Sequence, residues 1–198
     1  MPDLVEAYAQ AGGLQSCNLC AMRIIAGSKK GHRIAAPRGD NTRPTGDRVR
    51  EALFNMLGPL EGADVVDLFA GSGALGLEAL SRGARRCVFV ESGHAAARVI
   101  QANLLKLGLT GAIVQKRNAL AFLREEGKRG AHYDLVFCDP PYGEWDKLEG
   151  DLAELLSPVL AEDGVLAVET DARVEPQLPL DLVTTRRYGS ARITLFRP

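Results

Sequence analysis

The sequence predicts an α/β domain built on a mostly parallel sheet, with an antiparallel strand pair at its C-terminal end and a small β-hairpin ahead of it. Three observations carry this reading. From Ala63 onward, short apolar runs alternate with longer amphipathic stretches, the pattern of βα units laid side by side. The first of these runs leads into a glycine-rich turn, Asp67 to Gly76, set between a strand and a helix. After Thr170 the helical pattern stops, and two strand-like runs follow, joined by Gly189-Ser190.

The elements follow in order. Arg23 to Ala26 and Arg33 to Ala35 flank a glycine-containing turn and read as the hairpin. Thr45 has the character of an N-cap for a helix from Gly46 to Leu57, with Asp47 in its first turn, where negative charge suits the helix dipole. Ala63 to Phe69 is the first strand of the sheet. Ala74 to Arg82 places Leu75, Leu77, Ala79 and Leu80 at helical positions, and Gly83 stands where such a helix stops. Arg86 to Glu91 is the second strand, and Ala95 to Leu107, closed by Gly108, the second helix. Ala112 to Lys116 and Ala119 to Glu126 form a short third pair. Tyr133 to Cys138 is the fourth strand, Trp145 to Leu160 the fourth helix and Gly164 to Thr170 the fifth strand. Leu182 to Tyr188 and Arg192 to Phe196 complete the sheet as an antiparallel pair at one edge.

The chain has 198 residues, 46% of them hydrophobic, enough for one domain with a modest appendage. No run approaches the roughly 20 apolar residues of a membrane span, and the N-terminus lacks the pattern of a signal peptide, so a cytoplasmic protein is expected. Residues 1–21 are weakly patterned and read as a flexible extension, 22–45 as a basic hairpin and linker, and 46–198 as the catalytic domain. Cys17 and Cys20 form a C-x-x-C pair, but no second pair or nearby His completes a four-ligand set, so no metal is expected. Cys87 and Cys138 lie in apolar runs and read as buried thiols. The net charge of -1 conceals an asymmetry. Between Met22 and Arg50, eight basic residues face only Asp40 and Asp47, and a positive block of this kind attracts phosphate.

The turn Asp67-Leu-Phe-Ala-Gly71-Ser-Gly73-Ala-Leu-Gly76 brings backbone N–H groups close to a ligand, which makes Phe69, Gly71, Ser72 and Gly73 candidate cofactor contacts. Glu91 ends the second strand, where a carboxylate can take both hydroxyls of a ribose. An adenosine-containing cofactor follows, although the glycine spacing alone admits NAD as well as S-adenosylmethionine. Asp67 tilts the choice, because its charge repels a pyrophosphate but accepts bonds from a cationic amino-acid moiety. Asn118 is placed to bond an adenine edge, with Ala119 packed beside it.

Asp139-Pro140-Pro141-Tyr142 ends the fourth strand, the edge of an open α/β sheet at which ligands bind. Two prolines stiffen the loop. An exocyclic base amine is conjugated with its ring and is a poor nucleophile. The Asp139 carboxylate and the Pro140 carbonyl can hold its two hydrogens and turn its lone pair toward an electrophilic methyl. Tyr142 offers a face on which an extruded base stacks. Methyl transfer to such an amine is the expected chemistry.

Taken together, Met22 to Gly27, Thr42 to Phe54, Asp67 to Arg82 and Asp139 to Tyr142 resemble the ribosomal RNA small subunit methyltransferase D family, which methylates the N2 amine of one guanine in 16S rRNA. The resemblance runs from Met22 to the C-terminus. It implies a Rossmann-like class I methyltransferase with a seven-stranded sheet, S-adenosylmethionine as cofactor, and 16S rRNA or the small ribosomal subunit as partner; a monomer is expected. It further implies that Asp67, Gly71, Gly73, Glu91 and Asn118 serve the cofactor and Asp139, Pro140 and Tyr142 the target amine. Family members often carry Phe in place of Tyr142. Arg23, Lys29, Lys30 and Arg33 become an expected RNA grip, joined by Arg43 and Arg48, which could face either RNA or the cofactor cleft.

Three other enzymes share parts of this pattern. A DNA adenine-N6 methyltransferase would use the same tetrapeptide but needs a target-recognition region, and no segment of that size lies between the fourth and fifth strands. A protein-glutamine methyltransferase typically begins the tetrapeptide with Asn. An NAD-linked dehydrogenase would need an acid or base near the nicotinamide, whereas His32, His94 and His132 occupy loop or helix-start positions. A non-catalytic RNA-binding module would explain the basic stretch but neither loop.

Overall fold

The computed structural model describes residues 22–37 and 46–198. A two-stranded antiparallel hairpin, β1 (Met22–Arg23) and β2 (Arg33–Ile34), opens it, with a short 3-10 turn at Gly27–Lys29. Helix α1 (Asp47–Leu57) follows, then β3 (Asp64–Leu68), α2 (Ala74–Ser81), β4 (Arg86–Glu91), α3 (His94–Leu107), β5 (Ala112–Lys116), α4 (Ala119–Arg129), β6 (Tyr133–Cys138), α5 (Trp145–Leu155), β7 (Leu160–Asp171), β8 (Asp181–Tyr188) and β9 (Ala191–Arg197). The sheet has seven strands in the order β5-β4-β3-β6-β7-β9-β8. Its first five strands in sequence are parallel, and β9 runs antiparallel to both β7 and β8. The chain leaves β3 first toward β4 and β5 and later returns to β6 on its other side, which makes the C-terminal ends of β3 and β6 the switch point of the sheet.

Three predicted boundaries are corrected. The helix expected to reach Leu160 stops at Leu155, because Pro158 cannot continue it; Ser157–Val159 form a 3-10 turn and β7 starts at Leu160. The helix expected to end at Glu126 runs on to Arg129, where Gly130 closes it in a left-handed conformation. Helix α1 has Gly46 as its N-cap, with no side-chain capping bond; Thr45, read as the cap, lies outside the described residues.

Each face of the sheet carries its own core. Leu53 and Phe54 of α1, Leu75, Leu77 and Leu80 of α2 and Ile100 of α3 cover Val65, Phe89 and Phe137 on one side. Phe122, Leu123, Trp145 and Leu152 cover Val66, Val88, Val136 and Val168 on the other. Gly76 is required by this packing, since a Cβ there would collide with the Phe89 ring and the Cys87 sulfur. Cys87 and Cys138 are buried thiols, and burial raises the pKa of both. No helix among the described residues is long and apolar enough to cross a membrane.

The hairpin is part of this core. Met22, Ile24 and Ile34 pack into the α1–α2–α3 face. Glu78, fully buried in α2, accepts bonds from Ile25 N (2.7 Å), Ala26 N (2.9 Å) and Arg82 Nε (2.8 Å). The Ser81 hydroxyl donates to Ala26 O (2.7 Å) and accepts from Lys29 N (2.9 Å). Asn103 of α3 pairs with both backbone groups of Ala35, at 2.8 and 2.9 Å. Arg50, also fully buried, donates to Arg23 O at 2.6 Å and Asp47 Oδ1 at 2.7 Å.

Candidate active site

The cofactor and amine residues singled out in the sequence lie at the C-terminal ends of β3, β4, β5 and β6. Beyond β3, Phe69 has φ of +57°, and it alone among the described non-glycine residues has a positive φ. Holding a bulky side chain there costs on the order of 1–3 kcal/mol, a strain that clusters where a loop serves a ligand. It turns the chain sharply into Gly71, whose φ of +54° also needs the left-handed region. Ala70 N donates to Val90 O at 3.0 Å and Gly73 N to Ala70 O at 2.7 Å, so the turn is fixed to the sheet.

Glu91 bridges two loops: its oxygens accept from Gly71 N at 2.9 Å and from Gly93 N at 2.5 Å. Asp67 is only 2% exposed, and one of its oxygens accepts from Gly76 N at 2.9 Å in the first turn of α2. Desolvation by burial, aided by the charge of Glu91 and opposed by the Gly76 bond, raises its pKa from an ordinary 3.8 to about 8. Ser72 is engaged with the hairpin side: its hydroxyl lies 3.9 Å from the Met22 sulfur and its carbonyl accepts from Asn103 Nδ2 at 3.2 Å. Asn118 is the N-cap of α4, its Oδ1 accepting from Ala121 N at 3.1 Å, with Ala119 buried behind it.

The tetrapeptide lines a cavity of about 230 Å³ together with Trp145, Glu169, Thr170, Asp171 and Arg173. Pockets for drug-sized ligands run to ~300–1,000 Å³, so this one suits a single planar group. Pro140 is buried, while Tyr142 is 55% exposed. The Tyr142 hydroxyl donates to Ser190 O at 2.8 Å, in the turn between β8 and β9, which pins the ring over the cavity mouth. Arg173 holds Asp171 at 2.9 and 3.0 Å and keeps its carboxyl at about 2. The acids and Arg173 at the end of β7 were not foreseen; the available signal was acidic residues at the carboxyl end of a predicted strand.

The basic cluster divides. Arg23, Lys30, Arg33 and Arg48 are exposed, Lys29 is half-buried, and Lys106 of α3 joins them by donating to Arg33 O at 2.9 Å. Arg23 also pairs with Asp47 at 3.0 Å. Arg50 faces neither RNA nor cleft but fastens the hairpin from beneath. Arg43, Cys17 and Cys20 lie outside the described residues. His32, His94 and His132 are exposed, away from the cavity lining.

The described domain has relatives along nearly its full length. The family described as conserved hypothetical protein 95 matches residues 22–197. A Bacillus subtilis (strain 168) protein, provisionally named rRNA methyltransferase YlbH, is 43% identical over 183 residues, which cover 89% of this chain and 98% of that protein. Ribosomal RNA small subunit methyltransferase D of Escherichia coli (strain K12) is 40% identical over 164 residues, 82% of this chain and 78% of that protein. Among solved structures, a hypothetical protein of Thermus thermophilus superposes with a TM-score of 0.78 at 33% identity, covering 89% of this chain and 99% of that one. With hairpin, glycine turn and Asp139 loop all inside the matched region, the chain belongs to the conserved hypothetical protein 95 family, alongside the ribosomal RNA small subunit methyltransferase D proteins.

Proposed function

We propose that this protein transfers a methyl group from S-adenosylmethionine to the exocyclic N2 amine of a guanine in small-subunit ribosomal RNA, acting in the cytoplasm as a monomer. The observation that carries the reading is the cavity at the end of β6, where Asp139, Pro140 and Tyr142 line one base-sized space beside the glycine turn of β3.

The residues present fit the cofactor. A Cβ added at Gly71 would meet only Phe69 O, at 3.8 Å, so that side of the turn is open to a ligand. Glu91 uses one lone pair on each oxygen for Gly71 and Gly93, and each oxygen keeps acceptor capacity for a ribose hydroxyl. Asp67 lies under the turn as a buried carboxyl, and a positive group above it favours its ionised form. When bound, S-adenosylmethionine supplies an electrophilic methyl on a cationic sulfur.

The chain's own residues then deal with the amine. Asp139 and the Pro140 carbonyl accept its two hydrogens, which aligns the nitrogen lone pair and stabilises the charge it gains. No strong base is needed, because the proton leaves from a cationic nitrogen and Asp139 is at hand to receive it. Tyr142, fixed through Ser190, stacks on the extruded base. Arg23, Lys29, Lys30, Arg33 and Arg48 supply the phosphate contacts that position the RNA.

The Watson–Crick chemistry of guanine, its amine flanked by a ring N–H, also suits the acidic lining better than adenine does. Mass mapping of small-subunit rRNA from cells with and without this protein tests the proposal. One guanine losing a single methyl in the deletion strain is expected; an unchanged rRNA, or a lost methyl on adenine, would refute it.

A further inference from the structure

We infer that Glu169, a residue no motif pointed to, selects guanine by accepting the ring N1–H beside the amine under transfer. This rests on the guanine-N2 reading above and names the group that enforces it.

The placement follows from the sheet. Strands β6 and β7 are parallel neighbours with Phe137 opposite Ala167 and Cys138 opposite Val168, so Asp139, just past the end of β6, continues this register opposite Glu169 within β7. Side chains alternate faces along a strand. Phe137 and Ala167 belong to the core under α1 and α2, whereas Cys138 and Val168 belong to the opposite core. Asp139 and Glu169 therefore stand side by side on the α1–α2 face. Both line the base-sized cavity, and both also line the narrow cleft that runs down to Leu53 and Leu75.

The chemistry distinguishes the bases. In guanine, the N2 amine adjoins N1, which carries a hydrogen, so amine and ring present parallel donors. In adenine and cytosine the amine adjoins a ring nitrogen with a lone pair instead. With Asp139 and the Pro140 carbonyl on the amine hydrogens, the neighbouring Glu169 carboxylate meets N1–H of guanine and completes the set. With adenine or cytosine in the same pose it meets a lone pair, and two acceptors face each other with no proton between them. Sites built to accept a substrate N–H reject the analogue lacking it, because an acceptor then faces a ring lone pair with no proton to share.

The test uses small-subunit rRNA assembled by splinted ligation so that the mapped nucleotide is guanine, 2-aminopurine or 2,6-diaminopurine. Both analogues keep the N2 amine and lack the N1 hydrogen. The RNAs are presented naked and assembled with ribosomal proteins, and kcat/KM for methyl transfer is compared. Wild type is expected to prefer guanine over 2-aminopurine by about a hundredfold or more. Glu169→Gln, whose amide can donate to N1, is expected to bring that ratio within about tenfold. Intrinsic differences in amine reactivity cancel between the two enzymes. Dissociation constants for the same RNAs with S-adenosylhomocysteine present are expected to lose their guanine preference in parallel. A wild-type ratio near one overturns the inference without any variant, and so does an unchanged ratio in Glu169→Gln, while guanine-N2 transfer itself still stands. Transfer to another base overturns the guanine-N2 reading and this inference with it.

Discussion

Asp67 gives the most quantitative test of how the site is built. Its carboxyl is 2% exposed, receives one backbone N–H from Gly76, and has its pKa raised from 3.8 to about 8, chiefly by desolvation. A folded-state value above the unfolded one means that the native protein holds the extra proton between these limits. The resulting stability is fully present below pH ~4 and is lost as pH rises through ~8. Each pH unit in that window is worth about 1.4 kcal/mol, so the whole window is on the order of 5 kcal/mol. Asp67→Asn keeps the shape and the acceptor for Gly76 N but cannot ionise. Urea melts of the ligand-free wild type and variant at pH 6, 7, 8 and 9 should therefore show a stability difference in favour of Asn that widens up to pH 8 and then levels. A difference that stays constant across this range would refute the burial argument and place the Asp67 pKa in the ordinary carboxylate range.

The remaining predictions concern the amine, the RNA and the hairpin. Asp139→Ala should abolish methyl transfer while calorimetry with S-adenosylhomocysteine shows nearly unchanged affinity, and retained activity would contradict the grip on the amine. Tyr142→Ala should weaken base capture by ~1–3 kcal/mol, read as a fall in kcat/KM, with Tyr142→Phe recovering most of it because the ring, not the hydroxyl, stacks. Replacing Lys29 and Lys30 with Ala should weaken RNA binding and flatten the salt dependence of log K by about 1.4 to 1.8; an unchanged slope would remove these lysines from the interface. Glu78→Ala strips three donors of their partner in a buried site and should cost about 3 kcal/mol or more in a urea melt, together with faster proteolysis between Met22 and Ala35.

The parallel sheet was legible because its strands are short apolar runs bounded by turn residues: Arg86 to Glu91, Ala112 to Lys116 and Tyr133 to Cys138 fall where periodicity places them. Boundaries failed where a local breaker competed with amphipathic pattern, as at Pro158. Residues whose chemistry is local, such as the glycines and the Asp139 loop, were visible as motifs. Those whose role depends on what packs above them were not. Glu78 and Ser81 sit in a helix in which every residue is buried, and nothing in their spacing says that a hairpin over 50 residues away will need their oxygens. Asn118, read as an adenine contact, caps a helix in the structure; Arg50, read as part of a basic surface, lies in the core. Glu169 lies in a strand that looked merely apolar, and only the register with β6 brings it beside Asp139.

The way the hairpin is fastened has a consequence for how the chain is made. Its partners Glu78, Ser81 and Asn103 follow it by sequence separations of 52 to 68. On a ribosome that releases the chain from its N-terminus, Met22 to Ala35 emerges ahead of its partners and waits until α2 and α3 have formed on β3 and β4. A two-stranded ribbon alone is marginal in water, and its polar backbone has no buried carboxylate to meet until then. The hairpin is thus secured only after two later helices have followed it, and the basic surface it carries takes shape only after the floor of the glycine turn is in place.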